Sequence, residues 1–380
     1  MIRQQVIENE EILNEPDTLE GFSSPRTIKN IYGHESAEKE FLNTYQLNRL
    51  HHAWLITGPK GIGKATLAYR FTRFLLAIDK EKDTLITTLN IQEESPTSRL
   101  VSNLSHPELL VLRRPYDLKT NKLRTEITVD EVRRLKSFLS LRSGISSSKI
   151  VIVDPADELN LNAANAILKS IEEPSSQTYF FLITSNPDNL LPTIRSRCRV
   201  LRCKSLSNDN LQKALIQALK LSDSEVSLNL PTGDDWEKLK LVSDGSVGFA
   251  LRFLSLKGLN IYSKLISIIF QMPQCNWRDI HVLCDELTSQ ASELKFELFY
   301  ELLLSSLARL IYEQAYNNSS NQEGQITHRV IQKEHLSSWA ELWETIVIQK
   351  SELDLYNLDK KSFLFSVFRK ISQLSITKSI

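Results

Sequence analysis

Ala53-Trp54-Leu55-Ile56-Thr57-Gly58-Pro59-Lys60-Gly61-Ile62-Gly63-Lys64-Ala65-Thr66 is the stretch that decides the fold. Its first five residues are an apolar run ending in Gly-Pro, the pattern of a buried strand entering a turn. Beyond it, Leu67, Ala68, Phe71, Phe74, Leu75 and Ile78 recur at helical spacing and predict one apolar helix face. The turn between strand and helix reads G-x-x-x-x-G-K. Gly58, Gly61 and Gly63 let backbone N–H groups converge into an anion nest at the helix N-terminus, and Lys64 would reach the β- and γ-phosphates of a nucleotide. The competing account is a glycine turn that lets strand and helix pack closely. Ala65 stands where this motif supplies the hydroxyl that ligates Mg²⁺. Thr66 lies one residue on, about 100° around the helix, and does not simply replace it.

The second half of such a site is an apolar strand ending in an acid, and Lys149-Ile150-Val151-Ile152-Val153-Asp154 supplies one. Asp154 would hold Mg²⁺ through water; a turn or cap residue at a strand end is the alternative. The following residue is Pro155, where an ATPase of the AAA+ type has the glutamate that orients the attacking water. Asp157 and Glu158 lie past the turn and are poorly placed to take over. With both the hydroxyl and the base missing, the sequence predicts a domain that keeps the fold without hydrolysis. ATP or ADP would bind weakly if at all, and no cofactor is required.

Further strands are expected at Glu108 to Leu112, Tyr179 to Thr184 and Val200 to Cys203. Helices are expected near Thr128 to Leu141, Leu161 to Glu172 and Asn189 to Ile194, and residues 80 to 105 read as a helix-loop insert. Strands alternating with helices imply a parallel sheet covered on both faces. After Ser207 strand signals stop. Amphipathic helices are expected at Asp209 to Leu221, Asp234 to Val242 and Val247 to Leu256, followed by helix throughout to Ile380, broken by a polar loop near 317 to 326. The expected layout is an acidic extension (1–25) with one short helix at most, an α/β P-loop domain (26–206), a small helical domain (207–258) and an all-helical domain (259–380).

Length alone, at 380 residues, implies two or three domains. Lys plus Arg and Asp plus Glu are equal at 46 each, which excludes nucleic-acid binding by bulk charge. The 11 glycines and 12 prolines argue for a helix-rich chain. Four cysteines without a CxxC pair make no disulfide framework and suggest a reducing, cytoplasmic compartment. Cys198 and Cys203 read as thiols buried near a strand rather than half of a zinc site. No apolar run is long enough to span a membrane, and the acidic start lacks the features of a signal peptide.

One local strip departs from neutrality. Arg195, Arg197, Arg199, Arg202 and Lys204 place five cations within ten residues. The strip is a solvated basic face, a non-specific nucleic-acid contact, or a means of aiming an arginine at a phosphate on a neighbouring subunit, a role that suits the forked, permanently charged guanidinium.

Ser196-Arg197-Cys198, with Ala164-Asn165-Ala166-Ile167-Leu168-Lys169-Ser170-Ile171-Glu172-Glu173-Pro174 upstream, resembles the bacterial DNA polymerase III clamp-loader family. The resemblance runs from Ile31-Tyr32-Gly33-His34 to Leu201. It implies an AAA+ fold with a helical lid and collar. It also implies that Arg197 is a finger acting in trans on a neighbour's ATP. Partners would be gamma/tau ATPase subunits and a delta subunit in a heteropentamer that loads a sliding clamp onto primer–template DNA, with no membrane contact. Ala65, Pro155 and Gly248, the last where the hydrolysing members carry a sensor arginine, fit the non-hydrolysing branch. An active, gamma/tau-like ATPase is the alternative. Many members carry a four-cysteine zinc module after the first helix, but residues 76 to 110 contain no cysteine, so no zinc or other metal is expected.

Overall fold

The computed structural model describes residues 18–78, 81–82, 87–92, 95–117, 122–141, 148–222, 230–274, 276–289, 293–316 and 330–376. The expected short helix before residue 18 and the polar loop near 317 to 326 lie outside the described residues, as does Cys275. The chain divides into two compact units. The first is residues 1–230 with 243–249, and the second is residues 231–242 with 250–380.

The first unit is built on a parallel sheet. Its strands are β1 (Ala53–Thr57), β2 (Leu109–Leu112), β5 (Lys149–Val153), β6 (Thr178–Thr184) and β7 (Arg199–Arg202), in the spatial order β2-β5-β6-β1-β7. A separate antiparallel pair joins β3 (Tyr116–Asp117) to β4 (Lys122–Leu123), which the sequence patterning did not predict. In the main sheet Trp54 lies beside Phe181 and Ile56 beside Ile183, while Phe180 lies beside both Ala53 and Val151. Side chains alternate between faces along each strand. Trp54, Ile56, Ile150, Ile152, Phe181 and Ile183 therefore pack on one side, against helices α1 (Glu35–Gln46) and α2 (Lys64–Leu76). Leu55, Val151, Val153, Phe180 and Leu182 pack on the other, against α4 (Val129–Ser140) and α5 (Leu161–Glu172). Both faces are covered, so the central strands read as unbroken apolar runs.

The expected strands and the helices over 128–141, 161–172 and 209–221 appear within a residue or two of their predicted limits. Three local readings are corrected. Asn189 to Ile194 is not one helix, because a 3-10 turn at Pro187–Asn189 is followed by a four-residue helix, α6 (Pro192–Arg195), that starts on a proline. Pro192 cannot donate an N–H or continue a preceding helix. Ile78 falls past the end of α2 and is exposed, so it is not part of that buried face. Helix α1 was not foreseen, since its apolar face rests on only Ala37, Phe41 and Leu42. The insert between α2 and β2 contains one short helix, α3 (Pro96–Ser102), capped by Ser95 Oγ accepting from Ser98 N–H.

The first unit also contains α7 (Asn208–Lys220). In the second unit lie most of α8 (Asp234–Ser243) and of α9 (Val247–Ser255), then α10 (Gly258–Phe270), α11 (Trp277–Thr288), α12 (Glu293–Tyr316), α13 (Leu336–Tyr356) and α14 (Lys360–Ile376). Its core is aliphatic and aromatic, with Phe253, Leu265, Phe296, Phe299, Trp339 and Phe368 all fully buried. Lys350, also buried, is held by Glu297 at 2.9 Å and by both carboxylate oxygens of Asp354. Among the described residues no single helix is long and apolar enough to cross a membrane.

Candidate functional site

Strand β1 delivers the chain to the glycine loop at the carboxyl end of the sheet. There β1 sits between β6 and β7, the kind of crevice where open α/β sheets bind ligands. Gly58, Gly61 and Gly63 have φ of +145°, +77° and +102°. A Cβ on Gly58 would lie 2.3 Å from the Cys203 carbonyl oxygen, so this position is closed to any larger residue. Helix α2 starts at Lys64, and Lys64 is buried at 6% exposure. Its ammonium donates to Gly58 O at 2.7 Å, Pro59 O at 2.6 Å and Ser185 Oγ at 3.0 Å. Burial pulls its pKa down to about 8, opposed most strongly by Asp154.

The loop's remaining carbonyls are also engaged. Ser246 Oγ donates to Lys60 O at 2.8 Å and Gly248 N–H donates to Gly61 O at 2.9 Å. His34 Nε2–H donates to Ile62 O at 2.8 Å, and burial lowers the His34 pKa, which keeps the ring neutral. Every carbonyl from Gly58 to Ile62 is thus satisfied within the first unit. Gly248 also packs against Gly61 backbone to backbone: a Cβ on Gly248 would lie 3.1 Å from Gly61 Cα. The segment Gly245-Ser246-Val247-Gly248 is therefore clasped onto the phosphate loop.

Of the predicted nucleotide-site residues, the structure brings Gly58, Gly61, Gly63, Lys64 and Asp154 to one end of the sheet. Thr66 is buried, and Ala65 packs against the apolar cluster on the α2 side. Glu158 pairs with Arg114 at 2.7 Å, and burial raises its carboxyl pKa. His34, Ser185 and Ser246 were missed as loop partners. His34 and Ser246 lie in segments that the resemblance covered, but nothing in the sequence pointed to their contacts with the loop; Ser185 carried no signal.

The basic strip lies on α6, the turn after it and β7. Ile194 is fully buried and Cys198 packs against the α5-side cluster, where burial pushes its thiol up to about 12. These two anchors, with Arg197 N–H donating to Ile194 O at 3.1 Å and Cys198 N–H to Arg195 O at 3.3 Å, fix a turn that leaves Arg197 on the outside. The Arg197 side chain is 40% exposed. Nη2 is 2.8 Å from Glu172 Oε1, and Nη1 donates to Thr193 O at 3.1 Å and Ser196 Oγ at 3.3 Å. The neighbouring arginines are paired too. Arg195 meets Asp188 at 2.9 Å. Arg199 directs Nε and Nη2 at Glu40 Oε1, at 2.9 and 2.8 Å, and lies 5.1 Å over the Trp54 ring. Three of the five cations in the run are paired with acids, Asp188, Glu172 and Glu40. A shallow depression beside Arg197 is lined by His51, His52, Glu172, Glu173 and Ser196 among others. Among the described residues no cluster of His, Cys, Asp or Glu could hold a metal ion, and Cys198 and Cys203 are free thiols.

Residues 33–207 match the family described as DNA polymerase III, delta subunit. A delta-prime subunit from Pseudomonas aeruginosa is 37% identical over 152 residues, 40% of this chain and 43% of that protein. The Escherichia coli delta-prime subunit is 32% identical over 212 residues, 52% of this chain and 60% of that protein. A gamma subunit from Buchnera aphidicola is 24% identical over 350 residues, 90% of this chain and 87% of that protein. Among solved structures, a gamma subunit-related protein from Thermotoga maritima is 17% identical, covering 88% of this chain and 99% of that one with a TM-score of 0.41. The chain thus aligns with about half the length of the delta-prime relatives and most of the gamma relative. Residues 33–207, which carry both the phosphate loop and the arginine turn, are similar to DNA polymerase III delta, delta-prime and gamma/tau subunits.

Proposed function

We propose that the chain is the delta-prime subunit of a bacterial clamp loader, a non-hydrolysing member that presents Arg197 in trans to ATP held by a neighbouring ATPase subunit. The observation that carries this reading is an asymmetry between two sites of one domain. The phosphate loop has Ala65 and Pro155 in place of the metal hydroxyl and the base. The arginine turn keeps Ser196-Arg197-Cys198, anchored from within and open to solvent at Arg197. A guanidinium delivered to a transferring γ-phosphate stabilises charge that develops in the transition state.

In this reading residues 207–258 form a lid and 259–380 a collar that holds the subunit in a heteropentamer with gamma/tau and delta. The chain meets the sliding clamp and primer–template DNA through that assembly, in the cytoplasm. The pairing of Arg195, Arg197 and Arg199 with acids speaks against the basic strip as a DNA-binding module of its own. A second reading, an active gamma/tau-like ATPase, draws on the gamma relative matched over 90% of the chain. ATP turnover separates the two. In a complex reconstituted with the ATPase and delta subunits, Arg197→Ala is expected to leave assembly intact and lower DNA- and clamp-stimulated hydrolysis, with Arg197→Lys rescuing poorly. The isolated chain is expected to show background turnover only. Unchanged stimulated rates for Arg197→Ala overturn the finger. Turnover near one per second by the isolated chain, abolished by Lys64→Ala, establishes the second reading.

A further inference from the structure

We propose that Glu172 is a positioning residue that holds Arg197 retracted against its own domain until a neighbour's phosphate competes for the guanidinium. Unstimulated ATP turnover by the assembly is thereby held down. This rests on the arginine reading above and adds a regulatory contact to it.

Glu172 is the last residue of α5 and Glu173 follows it. The exposed carbonyls at a helix C-terminus carry partial negative charge, so two acids there are locally disfavoured. His52 Nε2–H donates to Ile171 O at 2.9 Å and so satisfies one of the carbonyls of that last turn. Arg197 supplies positive charge to the same corner through Nη2, 2.8 Å from Glu172 Oε1. The contact therefore has a local electrostatic cause in α5, independent of any role for Arg197 elsewhere.

The three ion-paired arginines of the strip are not held alike. Arg199 aims two nitrogens at Glu40 and lies over Trp54, so moving it would disrupt both contacts. Arg195 is tied to Asp188, seven residues before it in its own segment. Arg197 has one ion-pair contact to a separate element, and both partners are well exposed at 40% and 43%. Exposed pairs of this kind are weak. A phosphate carries more charge than a carboxylate and offers more acceptor oxygens to the guanidinium fork. Because Ile194 and Cys198 pin the backbone of the turn, exchanging Glu172 for phosphate requires side-chain rotation, which also releases the Nη1 contacts to Thr193 O and Ser196 Oγ, and no backbone movement. The retracted state lowers the fraction of arginine ready to engage, and removing its partner raises that fraction.

The test uses the reconstituted complex with this chain carrying Glu172→Gln, Glu172→Asp, Arg197→Ala or the Glu172→Gln/Arg197→Ala pair. ATP turnover is measured without DNA and clamp, then with both. Glu172→Gln is expected to raise unstimulated turnover about two- to fivefold, equivalent to ~0.4–1 kcal/mol, with the stimulated rate within about twofold of wild type by the same argument. Glu172→Asp, which keeps the charge, should restore part of the repression. The double variant should match Arg197→Ala alone, because Glu172 acts only through that arginine. If Arg197→Ala lowers stimulated turnover while Glu172→Gln leaves the unstimulated rate unchanged or lower, the latch is refuted and the finger stands. If Glu172→Gln still raises turnover in the Arg197→Ala background, Glu172 acts by another route and the proposal is again overturned. If Arg197→Ala has no effect, the finger and the latch fall together.

Discussion

Gly61→Ala tests whether the clasp on the phosphate loop is real. Gly61 has φ +77°, where an L-residue with a Cβ is strained by about 1–2 kcal/mol. The new methyl would stand 2.4 Å from Ser246 Oγ and 3.2 Å from the backbone N and Cα of Gly248. Ser246 can rotate away, but then it abandons the 2.8 Å hydrogen bond to Lys60 O. Gly248 is held by its own N–H to Gly61 O at 2.9 Å, so its displacement weakens a second bond. At about 1 kcal/mol for each net hydrogen bond, the substitution should cost about 2–4 kcal/mol in all. Urea unfolding of the full chain, followed through the first unit's transition, gives the total. Hydrogen exchange at the Gly248 amide gives the local part and should accelerate sharply. A loss below about 0.5 kcal/mol, the level of an unremarkable surface change, with Gly248 exchange unchanged, would refute the clasp.

Other consequences are as direct. Lys64 has a folded pKa of about 8 against 10.5 for the ordinary group, so between those values the unfolded chain binds more protons and stability rises with pH. Relative to Lys64→Met, the wild-type chain should gain about 3 kcal/mol as pH rises from below 8 to above 10.5; paired urea titrations at both ends check the sign. Phe71 stacks on Phe41 at 3.9 Å and is fully buried, so Phe71→Ala should cost about 3–5 kcal/mol by thermal or denaturant unfolding. A chelator should leave the melting temperature of the chain unchanged, measured against a zinc-bearing control protein.

The sheet was legible because both its faces are buried. Residues such as Ile150 to Val153 and Phe180 to Ile183 cannot alternate apolar with polar, and continuous runs of that length between glycine and proline punctuation admit little but central strands. The phosphate loop was legible for a different reason: its glycines are required by φ and by the approach of the Cys203 carbonyl, which are backbone constraints that leave a residue signature. The hydrogen bonds that close the loop were not legible, although the resemblance had set Gly248 at a nucleotide-site position. Ser246 and Gly248 lie 186 and 187 residues from their partners at Lys60 and Gly61, and a serine hydroxyl meeting a distant carbonyl leaves no pattern. Helix α1 escaped because three buried positions do not make a clear period.

The arginine strip shows where charge counting stops being informative. Five cations in ten residues suggest an open positive surface, yet Asp188, Glu172 and Glu40 reach Arg195, Arg197 and Arg199 from a loop, α5 and α1 respectively. Pairing at this level removes most of the long-range field that would draw in nucleic acid. It does not remove the capacity of one arginine to change partner. Of the three, Arg197 is the one whose backbone is flanked by Ile194, fully buried, and Cys198, partly buried against the same cluster. In the proposed finger role, a fixed turn carrying a solvent-exposed guanidinium would suit delivery of charge to an external phosphate. On that reading the backbone would fix where the group arrives, and the exposed pair with Glu172 would set part of what is lost when it leaves.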